Sequence, residues 1–319
     1  AIELRALTAT DGAGGDFVPP VWLVSEYVNL ARAARPTADR VQNMPLPAGT
    51  DTINLPRLLT GTAVAEQATQ NTAVQSTDAT TGVVTGAVAT LAGQQVISVQ
   101  LLEQSPVNMD DILLEDLMLD YNTKVDVFVL NNNAANKLGL LNVASINTTT
   151  YTSGAPTTGL LYGQIAAADS AIWSSRFAAA DTIIMHPRRW AAFQGALDSG
   201  GRPLLLPSGT PFNNIGTMQV GQVQGAVGEL AGKLVIVDPS IPTNLGVGTN
   251  QDVVILLRAA DSYLYEGTLR MESFRETKAD SLSILLRAYN YIAFIGGRFP
   301  KSIATISGTG LTPPAFNGA

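Results

Sequence analysis

An α+β fold, in which a long strut helix and a long hairpin accompany an α/β lobe, is what this sequence predicts. Three observations predict it. Residues 105–138 keep a helical apolar period over an unusual length, residues 51–104 alternate like strands with almost no charge, and residues 139–267 alternate short apolar runs with amphipathic stretches. At 319 residues the chain is long enough to divide into two or three subdomains.

The strut is read from Ser105 to Leu138. Ser105 is a good N-cap, Pro106 suits the first helical position, and Asp110 and Asp111 stand near the positive end of the helix dipole. At 100° per residue, Val107, Leu114, Leu117, Met118, Tyr121, Val125, Phe128 and Val129 form one apolar stripe. A thinner stripe of Ile112, Leu119 and Leu130 lies nearly opposite, with Glu115, Asp116, Asp120, Asn122 and Asp126 on the polar ground between. Both stripes call for cover. Asn131, Asn132 and Asn133 weaken the far end and Gly139 is placed to terminate it, giving a rod of roughly 48 Å at ~1.5 Å per residue.

Residues 1–50 read as an arm. Ala1 to Asp16 has little periodicity, Phe17 to Trp22 form an extended apolar anchor, and a short helix, Ser25 to Ala34, closes at Pro36. Met44 to Gly49 form a further extended piece, so the arm must lie along something else. In residues 51–104, Ile53, Leu55 and Leu58 begin a strand, and Val83 to Leu91 with Val96 to Leu102 form the return. Between Leu58 and Leu102 the only charges are Glu66 and Asp78. A long two-stranded ribbon is marginal alone in water and calls for neighbouring chains.

In the lobe, Gly159 to Trp173 is an Ala-rich amphipathic helix and Thr182 to Met185 a buried strand. Pro187 opens a second helix, Arg188 to Leu197, which ends at Gly200-Gly201, and Leu234 to Val237 and Val253 to Leu257 are further buried strands. From Thr268 onward Leu269, Met271, Ser283 to Leu286, Tyr289, Tyr291, Ala293 and Ile295 read as strands that pair beside the long helix. The tail beyond Gly308 reads as loosely held.

Composition narrows the function. Charged residues make up 14% of the chain against the roughly 25% of ordinary soluble domains, which leaves much neutral surface for subunit contact. With 26 acids to 19 bases, the balance opposes tight binding of nucleic acid. There is no cysteine, so disulfides and thiolate metal sites are excluded. The first 20 residues lack an apolar h-region and no run of 18 apolar residues exists, so neither a standard secretory signal nor a membrane span is predicted.

No catalytic, cofactor-binding or metal-ligating residue emerges. His186 is the sole histidine, so no histidine metal cluster, Ser-His-Asp triad or Cys-His pair can be assembled within one chain, and capping of the helix after Pro187 is its expected role. Arg188, Arg189 and Trp190 form a weak basic and aromatic patch that favours packing over phosphate binding. Asp110, Asp111, Glu115 and Asp116 are read as dipole complement and solvated face rather than as acid/base pairs or a cation site. Gly246-Val247-Gly248 is followed by Gln251 where a dinucleotide fingerprint needs glycine. Neither a Gly-Lys-Ser/Thr phosphate loop nor a Gly-x-Ser-x-Gly elbow occurs.

The order of parts, with several local runs, resembles the major capsid proteins of tailed double-stranded DNA bacteriophages, the Hong Kong 97 fold. The runs are Gly14-Gly15-Asp16-Phe17-Val18-Pro19-Pro20 in the arm, Lys137-Leu138-Gly139-Leu140-Leu141 after the helix, and Met185-His186-Pro187 through Gly201-Arg202-Pro203-Leu204. Leu230-Ala231-Gly232-Lys233 through Asp238-Pro239 completes the set. The resemblance implies an N-terminal arm at 1–50, an E-loop at 51–104, a P domain of spine helix 105–138 and returning strands 268–295, and an A domain at 139–267. Residues 296–319 would return to the A domain and form the tail. It further implies self-assembly as hexamers and pentamers into an icosahedral shell built in the host cytoplasm and enclosing double-stranded DNA without sequence-specific binding. The implied partners are a portal protein and a cement or scaffolding protein, with no cofactor and no membrane. An encapsulin-type bacterial shell is the alternative within the fold, and an enzyme with an unrecognised site in the lobe the alternative from another class. Precursors in the family often carry an N-terminal scaffolding segment that a protease removes. Nothing before Ala1 resembles one, and a start without Met fits such processing or simple Met removal.

In the type member of that family an E-loop lysine bonds covalently to a neighbour's asparagine with help from a glutamate. Here the lysines are Lys124, Lys137, Lys233, Lys278 and Lys301, none within 51–104. Arg57 stays protonated and cannot substitute, and Asp280 to Ala293 offers only Asn290 and no glutamate. Covalent cross-linking is therefore not expected.

Overall fold

The computed structural model describes residues 30–104, 109–197, 201, 203–207, 216–218, 225–276 and 281–314. Helix α1 (Pro36–Arg40) and strand β1 (Gln42–Pro45) precede the ribbon strands β2 (Thr52–Thr60) and β3 (Thr80–Ala87). Then come β4 (Ala89–Ser98), α2 (Val99–Gln104), α3 (Met109–Asn131), the short pair β5 (Asn133–Ala134) and β6 (Lys137–Leu138), and β7 (Asn147–Thr150). The lobe continues with α4 (Thr158–Arg176), β8 (Thr182–Met185), α5 (Pro187–Gln194), β9 (Leu205–Pro207), β10 (Gly216–Met218), β11 (Ala226–Leu230), β12 (Lys233–Val237) and β13 (Val254–Leu257). Strands β14 (Tyr263–Glu266), β15 (Arg270–Phe274), β16 (Ser283–Ile295) and β17 (Ile303–Ser307) close the chain. The described residues gather into two compact units, one within Ala1–Arg32, Gly93–Asp120 and Met271–Ala288 and the other within Ala33–Ala92, Tyr121–Arg270 and Tyr289–Ala319.

In the smaller unit Ile97, Ile284 and Leu286 form a core with Val99, Leu113 and Leu114. Arg32 reaches Asp116 at 2.7 Å and Asp120 at 2.6 Å, which draws the acid of Asp116 below its usual range through that hydrogen bond. Arg287 donates to Glu272 at 2.6 Å while its guanidinium stacks over Phe274.

The larger unit is organised by an eight-stranded mixed sheet in the order β7-β17-β13-β8-β12-β11-β10-β9. Its central strands are apolar on both faces, as a sheet covered on both sides requires. Ile184, Ile236, Ile255, Leu257 and Ile303 face one core with Tyr121, Val125, Phe128 and Val129 of α3. Ile183, Met185, Val235, Val254, Leu256 and Ile306 face another with Ile165 and Ile172 of α4 and Phe193 of α5. Strand β16 pairs antiparallel with β14, and β14 pairs parallel with β1, so the described end of the arm adds a strand to its own chain. The ribbon strands β2 and β3 pair from Thr52↔Ala87 to Thr60↔Thr80. Gly86 lets the ribbon root close on Ile295, since a Cβ there would stand 2.6 Å from that side chain.

Several expectations change. Pro36 opens a helix instead of closing one, its fixed φ serving as a helix start, and residues 30–34 are not helical. The proposed Ser25 start, the Phe17 to Trp22 anchor, and Ser105, Pro106 and Val107 lie outside the described residues. The strut ends at Asn131, not Leu138, because the asparagines favour a turn over another helical repeat. Asn136 is left-handed at φ 59°, and the Asn142 amide donates to the Asn131 and Asn132 carbonyls. Val99 to Leu102 are helical, where the return strand was expected to run on. Asp126 lies in the interior, not on the polar ground, since it falls about 20° from Leu119 and about 40° from Leu130 on the second stripe. Helix α5 stops at Gln194 with Gly195 as its cap, short of the expected end, of which Gly200 lies outside the described residues. The tail is pinned as far as described: Leu311 is buried, and Asp252 N–H donates to its carbonyl at 3.1 Å.

Candidate functional site

His186 sits where Ile-Met-His-Pro passes from β8 into α5. Its Nδ1 accepts from Arg188 N–H at 3.2 Å, which makes it the cap of that helix, and burial lowers its pKa. Arg188 and Arg189 are not open to phosphate: both converge on Asp252, at 2.5 and 2.8 Å, and Arg189 also donates to the Thr312 carbonyl at 2.5 Å. Asp252 is wholly buried, and Trp190 is buried in the apolar core with Phe193. Asp116 is taken up by Arg32, and Asp110 is outside the described side chains. Among the described residues no group of three or more His, Cys, Asp or Glu is arranged to hold a metal, and no helix is long and apolar enough to cross a membrane.

Two polar networks escaped the sequence reading. Tyr121 donates to Glu266 at 2.6 Å and accepts from the Asn290 amide at 2.7 Å, while Arg35 grips Glu266 at 2.9 Å. Burial, then Glu266, raises the Tyr121 pKa. Asn290 is thus consumed in the interior, 1% exposed, and cannot serve a neighbour. In the second network Asp126 lies against Asp238; Ala38 N–H donates to Asp126 at 2.9 Å, Thr37 Oγ1 donates to Asp238, and Ser240 N–H donates to Asp238 at 2.8 Å. No single sequence signal joins Thr37 to Asp238, 201 residues away.

Several large apolar side chains stand exposed among neutral polar ones. On the ribbon, Leu58 is 66%, Val64 98% and Val74 71% accessible, and on α4 Trp173 stands out half-exposed one turn before Phe177. Phe177 holds a left-handed φ of 57° at the helix cap. Apolar groups this exposed on a weakly charged surface mark contact with other protein.

The Phage capsid family model matches residues 14–295 of the chain. No curated protein sequence matches it. Among solved structures, one from Gordonia phage Cozz superposes with a TM-score of 0.69 at 14% identity, covering 93% of this chain and 94% of its own. One from Mycobacterium phage Adephagia gives a TM-score of 0.69 at 14% identity over 96% and 99%. The capsid of Myoviridae phage XM1 gives 0.65 at 13% identity over 91% and 98%. With that match over most of its length and the fold it shares with these structures, the chain belongs to the Phage capsid family and has the Hong Kong 97-like fold of a capsid shell protein.

Proposed function

We propose that the chain is the major capsid protein of a tailed phage, assembling as hexamers and pentamers into an icosahedral shell around double-stranded DNA. The observation that carries this reading is the family match over residues 14–295, and the exposed apolar ribbon supports it. In this reading residues 1–50 are the arm, 51–104 the E-loop, 105–138 and 268–295 the P domain, 139–267 the A domain, and 296–319 its return and the tail. The role is structural and not enzymatic. A net charge of −7 suits a container that holds DNA without gripping it. Assembly takes place in the host cytoplasm, with a portal protein and a cement or scaffolding protein as further partners. Negative-stain microscopy of the chain expressed alone is the test. Closed shells or five- and six-fold rings are expected, and a uniform field of single subunits would oppose the reading.

A further inference from the structure

Where the ribbon meets the end of β16 lies a cleft of about 400 Å³ with both polar and apolar walls. Four polar side chains line it from separate places in the chain: Arg57 of β2, Thr85 of β3, Asn136 of the turn between β5 and β6, and Ser145 just before β7. Gly296 and Gly297 add a wall that carries no side chain. No carboxylate lines the cleft among the described residues.

The charge around this cleft has one sign. The Arg57 guanidinium is exposed and makes neither hydrogen bond nor ion pair among the described residues. Lys137, Arg298 and Lys301 each stand next in the chain to a lining residue, and none has an acid partner among the described residues. Arg298 is held by the Tyr263 hydroxyl and lies over the rings of Tyr263 and Phe299, so its cation is placed without being neutralised. Asp51, exposed at the base of the ribbon, pairs with none of the four. In a chain of net charge −7, such a local excess of base raises the concentration of anions at that spot.

The neutral donors narrow the anion. Asn136 and Ser145 hold left-handed φ values of 59° and 64°, uncommon for residues other than glycine, and neither side chain has a hydrogen-bond partner among the described residues. Thr85 already gives its hydroxyl proton to Asn54. A planar carboxylate is satisfied by the guanidinium fork alone, whereas a tetrahedral anion has further oxygens that the Asn136 amide and the Ser145 hydroxyl are free to serve.

We propose that this cleft binds a phosphate group, with Arg57 as its direct ligand, Asn136 and Ser145 as neutral donors, and Lys137, Arg298 and Lys301 as the surrounding positive field. The same chemistry takes inorganic phosphate or a backbone phosphate of nucleic acid. It does not depend on the shell reading.

Calorimetric titration of the full purified chain at low salt tests it, with inorganic phosphate in one arm and a short DNA duplex in the other. Saturable binding is expected in at least one arm. Arg57→Ala should weaken it about tenfold or more, as loss of a charge-assisted hydrogen bond does. Lys124→Ala, which removes an exposed base that does not line the cleft, should bind like wild type. Phosphate binding without duplex binding assigns the site to the free anion, and duplex binding that Arg57→Ala weakens assigns it to nucleic acid. Saturation in neither arm, an Arg57→Ala variant that binds like wild type, an equal loss from Lys124→Ala, or polyglutamate bound as tightly with the same dependence on Arg57 would each overturn the proposal. The shell reading is tested separately, by particle formation.

Discussion

Asp126 of α3 and Asp238 at the end of β12 share one buried site, and the arm residues Thr37 and Ala38 supply its hydrogen bonds. Burial first, and then the neighbouring Asp238, push the Asp126 pKa up to about 9. A carboxyl group with a raised folded-state pKa stabilises the fold fully below its unfolded value. That contribution is lost as pH climbs from about 4 toward about 9. Asp126→Asn keeps one acceptor and one donor without the titration. Its stability advantage over wild type should therefore grow between about pH 5 and about pH 8, by on the order of 1 kcal/mol per unit. Urea midpoints of both proteins at the two pH values check this, and a difference independent of pH would contradict it.

Asp252 answers two guanidinium groups at once, and Arg189 is only 4% exposed. Asp252→Ala leaves a buried cation unpaired while keeping the backbone N–H that holds the Leu311 carbonyl, so it should cost about 3–5 kcal/mol. Arg188→Ala, removing the more exposed partner, should cost clearly less. Chemical unfolding of the two variants decides, and equal losses would argue against the buried pair as the anchor.

The apolar stripe of α3 makes a paired prediction. Phe128 is buried in the core that also holds Val125 and Val129, so Phe128→Ala should cost roughly 3–5 kcal/mol. Asn122→Ala should change stability little. Equal yields of soluble, assembled protein from both variants would count against this packing.

Shell locking should be non-covalent. No lysine lies in residues 51–104, and Asn290 is held inside by Tyr121 and the Gly267 carbonyl. Particles boiled in detergent should run as one band near 33.4 kDa. A ladder of covalent oligomers would show that another lysine had taken the role.

The elements legible in the sequence were those whose residues carry one physical meaning. Thr182 to Met185 and Val254 to Leu257 are short apolar runs between turn residues, and they are the buried centre of the sheet. His-Pro-Arg likewise told of a capped helix. Val99 to Leu102 misled because a short apolar run fits strand and helix alike. Pro36 misled because proline both stops one helix and starts the next. The interior acids were harder still. Asp126 belongs to the second stripe by angle, yet only the fold brings Asp238 and Thr37 beside it and makes a buried carboxyl tolerable. The loose-looking tail was held by Asp252 and Arg189, a long-range relation invisible to local composition.

Sedimentation velocity of the purified wild-type chain at micromolar concentration tests the central claim most directly. A chain this poor in charge, with an apolar ribbon left uncovered, should sediment as shells or capsomer rings with little free subunit. A single sharp boundary at the 33.4 kDa monomer, stable with time and concentration, would contradict it.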